Sequence, residues 1–249
     1  MSTKEQRIEE GSLHPYQRLQ GLLANLIAST PPGERLPAEP ELAKQLGVSR
    51  ATLREAMRAF EGQGIIRRRQ GVGTFVVGKP PVFESGLEVL ESIESLARRI
   101  GLDVSMGDVH IETVCASAEQ AKELCVPVGT ELVRVRRVIL TSNRPVAYLI
   151  DVLTEDVLTP DDLKQGFTGS VLDLLLTRGN PPLSNSVADV QAAAASPEIA
   201  RALQIQRGDV LLLFSARLFA TSGKIVDLST SYFLPGYFRF HIVRKVGSS

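Results

Sequence analysis

Along the first eighty residues the apolar positions step at helical spacing and then alternate. After Tyr16 they recur at Leu19, Leu22, Leu23, Leu26 and Ile27, one face of a helix that Pro31-Pro32-Gly33 ends. From Leu36 to Gly78 the chain reads as two short helices, a tight turn, a longer helix and a glycine-tipped hairpin. Leu42, Ala43 and Leu46 share one side of a short helix. Gly47 follows, where a tight interhelical turn needs a residue free of Cβ strain. Ser49 stands at an N-cap, with a hydroxyl for an orphan backbone N–H. Leu53, Ala56, Met57 and Phe60 form a stripe at i, i+3, i+4 and i+7, and Arg50 and Arg54 share a face displaced from it. Ile65-Ile66, Arg67-Arg68-Arg69, the tip Gln70-Gly71-Val72-Gly73 and Thr74-Phe75-Val76-Val77 make two β-prone runs joined by glycines.

Gly78-Lys79-Pro80-Pro81 reads as a linker, and strand-like and helix-like segments alternate beyond it. Leu87, Leu90, Ile93, Leu96 and Ile100 mark a helix closed by Gly101. Strands are expected over 104–114, 132–140, 145–153, 187–194, 209–219 and 225–233, with 237–243 closing the sheet. Helices are expected over 117–124, where Ser117 and Gln120 hold capping-box positions, over 170–178, and over 197–203 with proline in its first turn. Antiparallel hairpins with interspersed helices predict an α+β fold. The stretch from Ala116 to Tyr148 weakly resembles that from Ala194 to Leu228, each a short helix, a turn, a strand and a return strand. Two such halves facing each other leave a cleft between sheet and helices.

Charge sharpens this division. The 249 residues carry 28 Lys+Arg and 28 Asp+Glu. Residues 1–80 hold 12 basic and 8 acidic side chains, a surplus of four positive charges, and residues 81–249 hold 16 and 20. Within 44–69, seven basic residues face only Glu55 and Glu61, so positive charge is concentrated on the helix and hairpin. The polar start, MSTKEQRIEEGS, and the lack of any membrane-length apolar run predict a cytoplasmic protein. Cys115 and Cys125 lack metal-ligand spacing and are expected as buried thiols in a reducing compartment, with no metal and no cofactor.

A helix buried on one side and presenting two arginines near its N-terminus suits the major groove of DNA, and a glycine tip lets a backbone approach phosphates closely. Taken singly, the arginine run is equally a solvated face and the double glycine equally a turn. The ordered series resembles the winged helix-turn-helix of the GntR family of bacterial transcription regulators. Tyr16 and the run PPGERLPAEPELAKQLGVSRATLREAMRAFEGQGIIRRRQGVGTFV, 31–76, carry the match. Pro40 departs from members that place a DNA-contacting arginine there. The expected DNA contacts are Arg35, Lys44, Ser49, Arg50, Thr52, Arg54, Arg67, Arg68, Arg69, Gln70, Gly71 and Gly73. Arg50 or Arg54 is expected to read a base edge, and Lys44 with the three consecutive arginines to bind phosphates.

The order of elements after the linker resembles the UTRA domain of the HutC subfamily of these regulators. The resemblance implies a chorismate-lyase-like fold that binds a small-molecule effector and dimerises. The implied organisation is 13–78 for DNA, 79–84 as linker and 85–245 for the effector. Arg137, Ser170, Asp227 and Tyr232 match effector-contacting positions. The alternatives are a salt bridge from Arg137 to Asp151 or Asp227, and a core position for Tyr232. Ile139, Leu149 and Leu172 stand where relatives often have polar residues, which points to an effector with an acidic head and a less polar body rather than a sugar phosphate.

The expected protein is thus a homodimeric repressor that binds operator DNA under control of an anionic effector, with no membrane partner. Two rival classes are a DNA-binding protein whose second domain senses nothing, and an enzyme, since the implied fold is shared with a lyase. His14, His110 and His241 are scattered and lack a nucleophile partner, and neither a phosphate loop nor zinc spacing occurs, so no catalytic residue is expected.

Overall fold

The computed structural model describes residues 15–62, 64–69, 71–77, 83–163, 167 and 169–242, with 83 and 84 described in backbone only. The polar N-terminal lead, His14, Gln70 and most of the expected linker lie outside the described residues. The chain divides into two compact units, Met1–Pro80 and Pro81–Ser249.

In the first unit, helix α1 (Pro15–Ser29) packs Leu19, Leu23 and Ile27 against helix α2 (Glu39–Gln45) and helix α3 (Arg50–Gly62). Leu42, Ala43, Leu53, Ala56 and Met57 complete that core, so the apolar stripe of α3 faces inward. Strand β1 (Ile66–Arg69) pairs antiparallel with strand β2 (Gly73–Val76). Only one short helix precedes α3, where the sequence suggested two. Residues 33–36 instead run beside β2: Gly33 N–H donates to Val76 O at 2.7 Å, Val76 N–H to Glu34 O at 2.9 Å and Leu36 N–H to Thr74 O at 2.8 Å. This edge pairing uses backbone groups that a helix would have needed.

In the second unit, strands β4 (Ser105–Cys115), β5 (Glu131–Thr141), β6 (Arg144–Thr154), β7 (Leu183–Ala194), β8 (Val210–Ala220) and β9 (Ile225–Phe233) form one antiparallel sheet in the order β4-β5-β6-β9-β8-β7. The internal repeat is a physical symmetry. β4, helix α5 (Ala118–Leu124), β5 and β6 correspond to β7, helix α7 (Pro197–Leu203), β8 and β9. The two halves join where Ile150 pairs with Thr230. Both repeat helices open on a serine cap, Ser117 or Ser196, and close on a left-handed residue, Cys125 or Gln204. The strand β7 starts at Leu183, before the expected 187, because its register with β8 reaches Ala220.

Three expectations are corrected here. The helix after the linker is only α4 (Ile93–Ile100). The Ser92 hydroxyl accepts from Ser95 N–H and starts it there, leaving Leu87 and Leu90 exposed in a bend. Strand β10 (Phe238–His241) does not close the large sheet. It pairs in parallel with strand β3 (Phe83–Gly86) as a separate ribbon. Both cysteines are exposed, Cys115 at the end of an edge strand and Cys125 at the C-cap of α5. Helix α4 and helix α6 (Val171–Arg178) cover one face of the sheet, and α5 and α7 the other.

Candidate nucleic-acid interface and ligand pocket

The N-terminus of α3 is built by Ser49, whose hydroxyl accepts the Thr52 N–H at 3.1 Å and lies 2.8 Å from the Thr52 hydroxyl. Both side chains are exposed and bonded to each other, which leaves one hydroxyl hydrogen and their remaining lone pairs for a partner. Arg50 and Arg54 project from the first turns and are exposed, as are Lys44, Arg35, Arg67, Arg69 and Gly71. Arg69 lies over the ring of Phe75, 5.4 Å from its centroid. Gly73, at φ +137°, has the Arg35 side chain where a Cβ would stand, so glycine is needed both for the backbone and for the arginine above it.

Arg68 differs from its neighbours. It is only 23% exposed in its side chain and forms an ion pair with Glu39, and its backbone N–H donates to Glu61 Oε1 at 3.3 Å. Glu39 also stands 3.6 Å from Arg54 Nε, so one carboxylate at the start of α2 touches both α3 and β1. The sequence count of charge over 44–69 excluded Glu39 and therefore missed it. An acidic residue in the first turn of a helix, just outside a basic cluster, was the available signal.

The second unit encloses a cavity of about 260 Å³. Strand alternation brings Leu149 and Asp151 of β6, and Asp227, Ser229, Ser231 and Phe233 of β9, to this face. Arg137, Ser170, Leu172, Ser186, Phe214 and Phe240 add to the wall, as do residues 85–93. Three of the four expected contacts, Arg137, Ser170 and Asp227, therefore meet in one cavity. Tyr232 does not. Its even position on β9 turns it to the opposite face beside Tyr148, whose hydroxyl lies 3.1 Å from Glu198 Oε1 of α7. Ile139 is likewise packed in the core rather than on the cavity wall. Ser170 is buried and caps α6, accepting the Asp173 N–H at 3.0 Å.

Arg137 is buried and already has counter-ions. Its Nη1 donates to Asp151 Oδ2 at 2.7 Å, and its Nε stands 3.9 Å from Glu94 Oε1, too far for a hydrogen bond. Both Glu94 oxygens and Arg137 Nε are buried without a hydrogen-bond partner. Burial pushes the Glu94 and Asp151 carboxyls above their ordinary range, although Arg137 opposes the rise in both. Asp227 is pushed well above it by burial and then by the charge of Asp151, and it accepts the Val152 N–H at 3.2 Å. Of the two carboxyls Asp227 is the one pushed further towards the protonated form, while Asp151 keeps the contact with Arg137. The serine row on β7 and β9 and the cluster of Phe214, Phe233 and Phe240 were not anticipated. The polar alternation Asp227, Ser229, Ser231 was the readable signal for the first of these. The hydroxyls also weaken the argument against a polyhydroxylated ligand, which counted only Leu149, Leu172 and Ile139.

Among the described residues no His, Cys, Asp or Glu cluster is arranged to hold a metal ion, and no helix is long and apolar enough to cross a membrane. Residues 15–76 match the family described as bacterial regulatory proteins, gntR family, and residues 100–239 match the UTRA domain. The chain is 31% identical over 236 residues to the histidine utilization repressor of Pseudomonas putida, covering 92% of this chain and 94% of that one. It is 26% identical over 202 residues to the HTH-type transcriptional repressor NagR of Bacillus subtilis, covering 81% and 82%. The crystal structure of PhnF from Mycobacterium smegmatis shares the fold, with a TM-score of 0.61 at 22% identity, covering 92% of this chain and 100% of that one.

Proposed function

The chain belongs to the GntR family of bacterial regulatory proteins and carries a UTRA domain, and from that premise we propose how it reads DNA and senses its effector. It is a DNA-binding transcriptional repressor with an effector-binding C-terminal domain, and its relatives are regulators rather than enzymes. Arg50 and Arg54 read base edges from the major groove. Arg35, Lys44, Arg67, Arg69 and the backbone at Gly71 and Gly73 hold phosphates. Two copies in a homodimer put two reading helices on a near-palindromic operator.

The effector is a small anionic molecule, and the cavity around Arg137 is the single observation that carries this reading. Its acidic head takes the guanidinium in place of part of the present carboxylate shell. Ser186, Ser229 and Ser231 meet its polar groups, and the phenylalanine cluster meets its less polar body. The cavity wall includes residues 85–91, which follow directly on the segment joining the two units. An occupant that prefers one arrangement of 85–91 thereby acts on that joining segment. The effect on operator affinity equals the difference in effector affinity between the two arrangements. Relatives named as histidine utilization repressors make small carboxylates with a nitrogen-containing ring reasonable first probes.

Calorimetric titration tests this with histidine-derived carboxylates, aliphatic carboxylates and sugar phosphates, on wild type and Arg137→Lys. A carboxylate that binds wild type at least tenfold more tightly than the variant supports the assignment. Equal binding to both proteins refutes the role of Arg137.

A further inference from the structure

We propose that Glu39 is a positioning residue that sets how sharply the first unit discriminates between DNA sequences. This rests on the DNA-reading assignment of Arg54 above. A carboxylate beside a DNA-binding surface repels phosphate, so its presence at the start of α2 lowers raw affinity. What it supplies is geometry. It forms an ion pair with Arg68, while Glu61 accepts the Arg68 backbone N–H at 3.3 Å, so this arginine ties β1 to the helices rather than standing free. The same carboxylate lies 3.6 Å from Arg54 Nε, and Arg54 remains 55% exposed. At that distance the contact is an ion pair without a hydrogen bond; it biases the guanidinium from its Nε side and leaves its two terminal nitrogens, the fork that matches a guanine edge, clear of the carboxylate.

The consequence concerns wrong sequences more than right ones. On a duplex without the cognate base, an unrestrained Arg54 turns to the nearest phosphate and gains sequence-independent affinity. Held near Glu39, whose closer partner is Arg68, it has its charge partly offset and gains less there. On the cognate base pair, two directed hydrogen bonds add to the pose that Glu39 maintains. Glu39 thus suppresses non-specific binding by both charge and restraint, a form of selection against the competitor. Arg68, with its charge matched by Glu39 and only partly exposed, contributes to this brace and not to phosphate binding.

The test uses the full chain and a duplex that wild type enriches from a random-sequence pool, with a scrambled duplex of equal length. Fluorescence anisotropy at several salt concentrations gives affinity and salt slope. Glu39→Gln is expected to bind the scrambled duplex several-fold more tightly, with a slope steeper by about one unit as one more arginine reaches phosphate. The ratio of specific to scrambled affinity is expected to narrow about tenfold. Glu39→Asp, which keeps the charge, should return the slope towards wild type. In an Arg54→Gln, Arg68→Gln background, Glu39→Gln should leave the slope unchanged. A Glu39→Gln protein with an unaltered ratio overturns the proposal, as does one that loses affinity equally on both duplexes at constant slope, or an Asp variant with the Gln slope. If wild type enriches no sequence at all, the DNA-reading assignment itself fails.

Discussion

Replacing Arg137 with methionine removes the positive charge that opposes the carboxyls of Glu94, Asp151 and Asp227 while keeping a side chain of similar length. Asp151 then loses its partner at 2.7 Å and Glu94 its neighbour at 3.9 Å. Breaking a buried pair from one side costs about 3–5 kcal/mol when the remaining charge stays buried. The alternative is protonation of Asp151. From an unfolded-state value near 3.9, that costs about 4 kcal/mol at pH 7 and about 1.5 kcal/mol at pH 5, at 1.36 kcal/mol per pH unit. The two routes agree at pH 7, and the second sets the pH dependence. At roughly 2–4 °C per kcal/mol for a unit of this size, the melting temperature of the second unit should fall by about 10 °C at pH 7 and by about 4 °C at pH 5. The sign follows from linkage. A carboxyl whose folded value is raised loses stability as pH rises from its unfolded value through its folded one, and removing Arg137 raises Asp151 further. Calorimetry of the full chain at the two pH values measures both drops. Adding Asp151→Leu should recover much of the loss at pH 7, because the carboxylate paired at 2.7 Å leaves with its partner and only the more distant Glu94 stays uncompensated. A drop of equal size at both pH values, or none at pH 7, refutes the charge argument and leaves packing as the cause.

Arg67→Ala, Arg69→Ala and Lys44→Ala should each weaken binding to all duplexes alike and reduce the salt slope by about one unit, measured by anisotropy against salt. Gly73→Ala should cost the first unit about 1–3 kcal/mol by calorimetry, because its Cβ meets Arg35 and its φ of +137° suits glycine almost alone. An anionic effector that takes Arg137 from its carboxylates leaves them to bind protons, so its affinity should rise as pH falls. Titration in two buffers of different ionisation enthalpy should show proton uptake on binding, and proton release would contradict it.

The first unit was largely legible because its signals are local. Leu53, Ala56 and Met57 show a helix face by spacing alone, and Ser49 lies next to the helix it caps. The repeat in the second unit was legible for the same reason, since Ser117 and Ser196 each cap a helix within three residues. Its doubling of the outer strands was not, because β4 and β7 have unlike sequences and share only their place in the sheet. The helix before Gly101 was read too long because Leu87 and Leu90 keep helical spacing while a serine cap at 92 stops the backbone. Partners across the fold were hidden. Arg137 chose Asp151 over Asp227 because the β5–β6 register brings Asp151 alongside, and that register is a long-range fact. Tyr232 stands one step of alternation away from the cavity-lining Ser231 and Phe233, which in a strand puts it on the other face.

In the mode of DNA recognition we propose, α3 reads the sequence through Arg50 and Arg54. Selection from a random-sequence duplex pool, followed by sequencing, tests it most directly when run with the full wild-type chain and with the Arg50→Ala, Arg54→Ala double variant. Wild type should enrich one near-palindromic site with a preferred base pair in each half, and the variant should recover duplexes without that preference. Enrichment of the same site by the variant, or no enriched site with wild type, would contradict the claim.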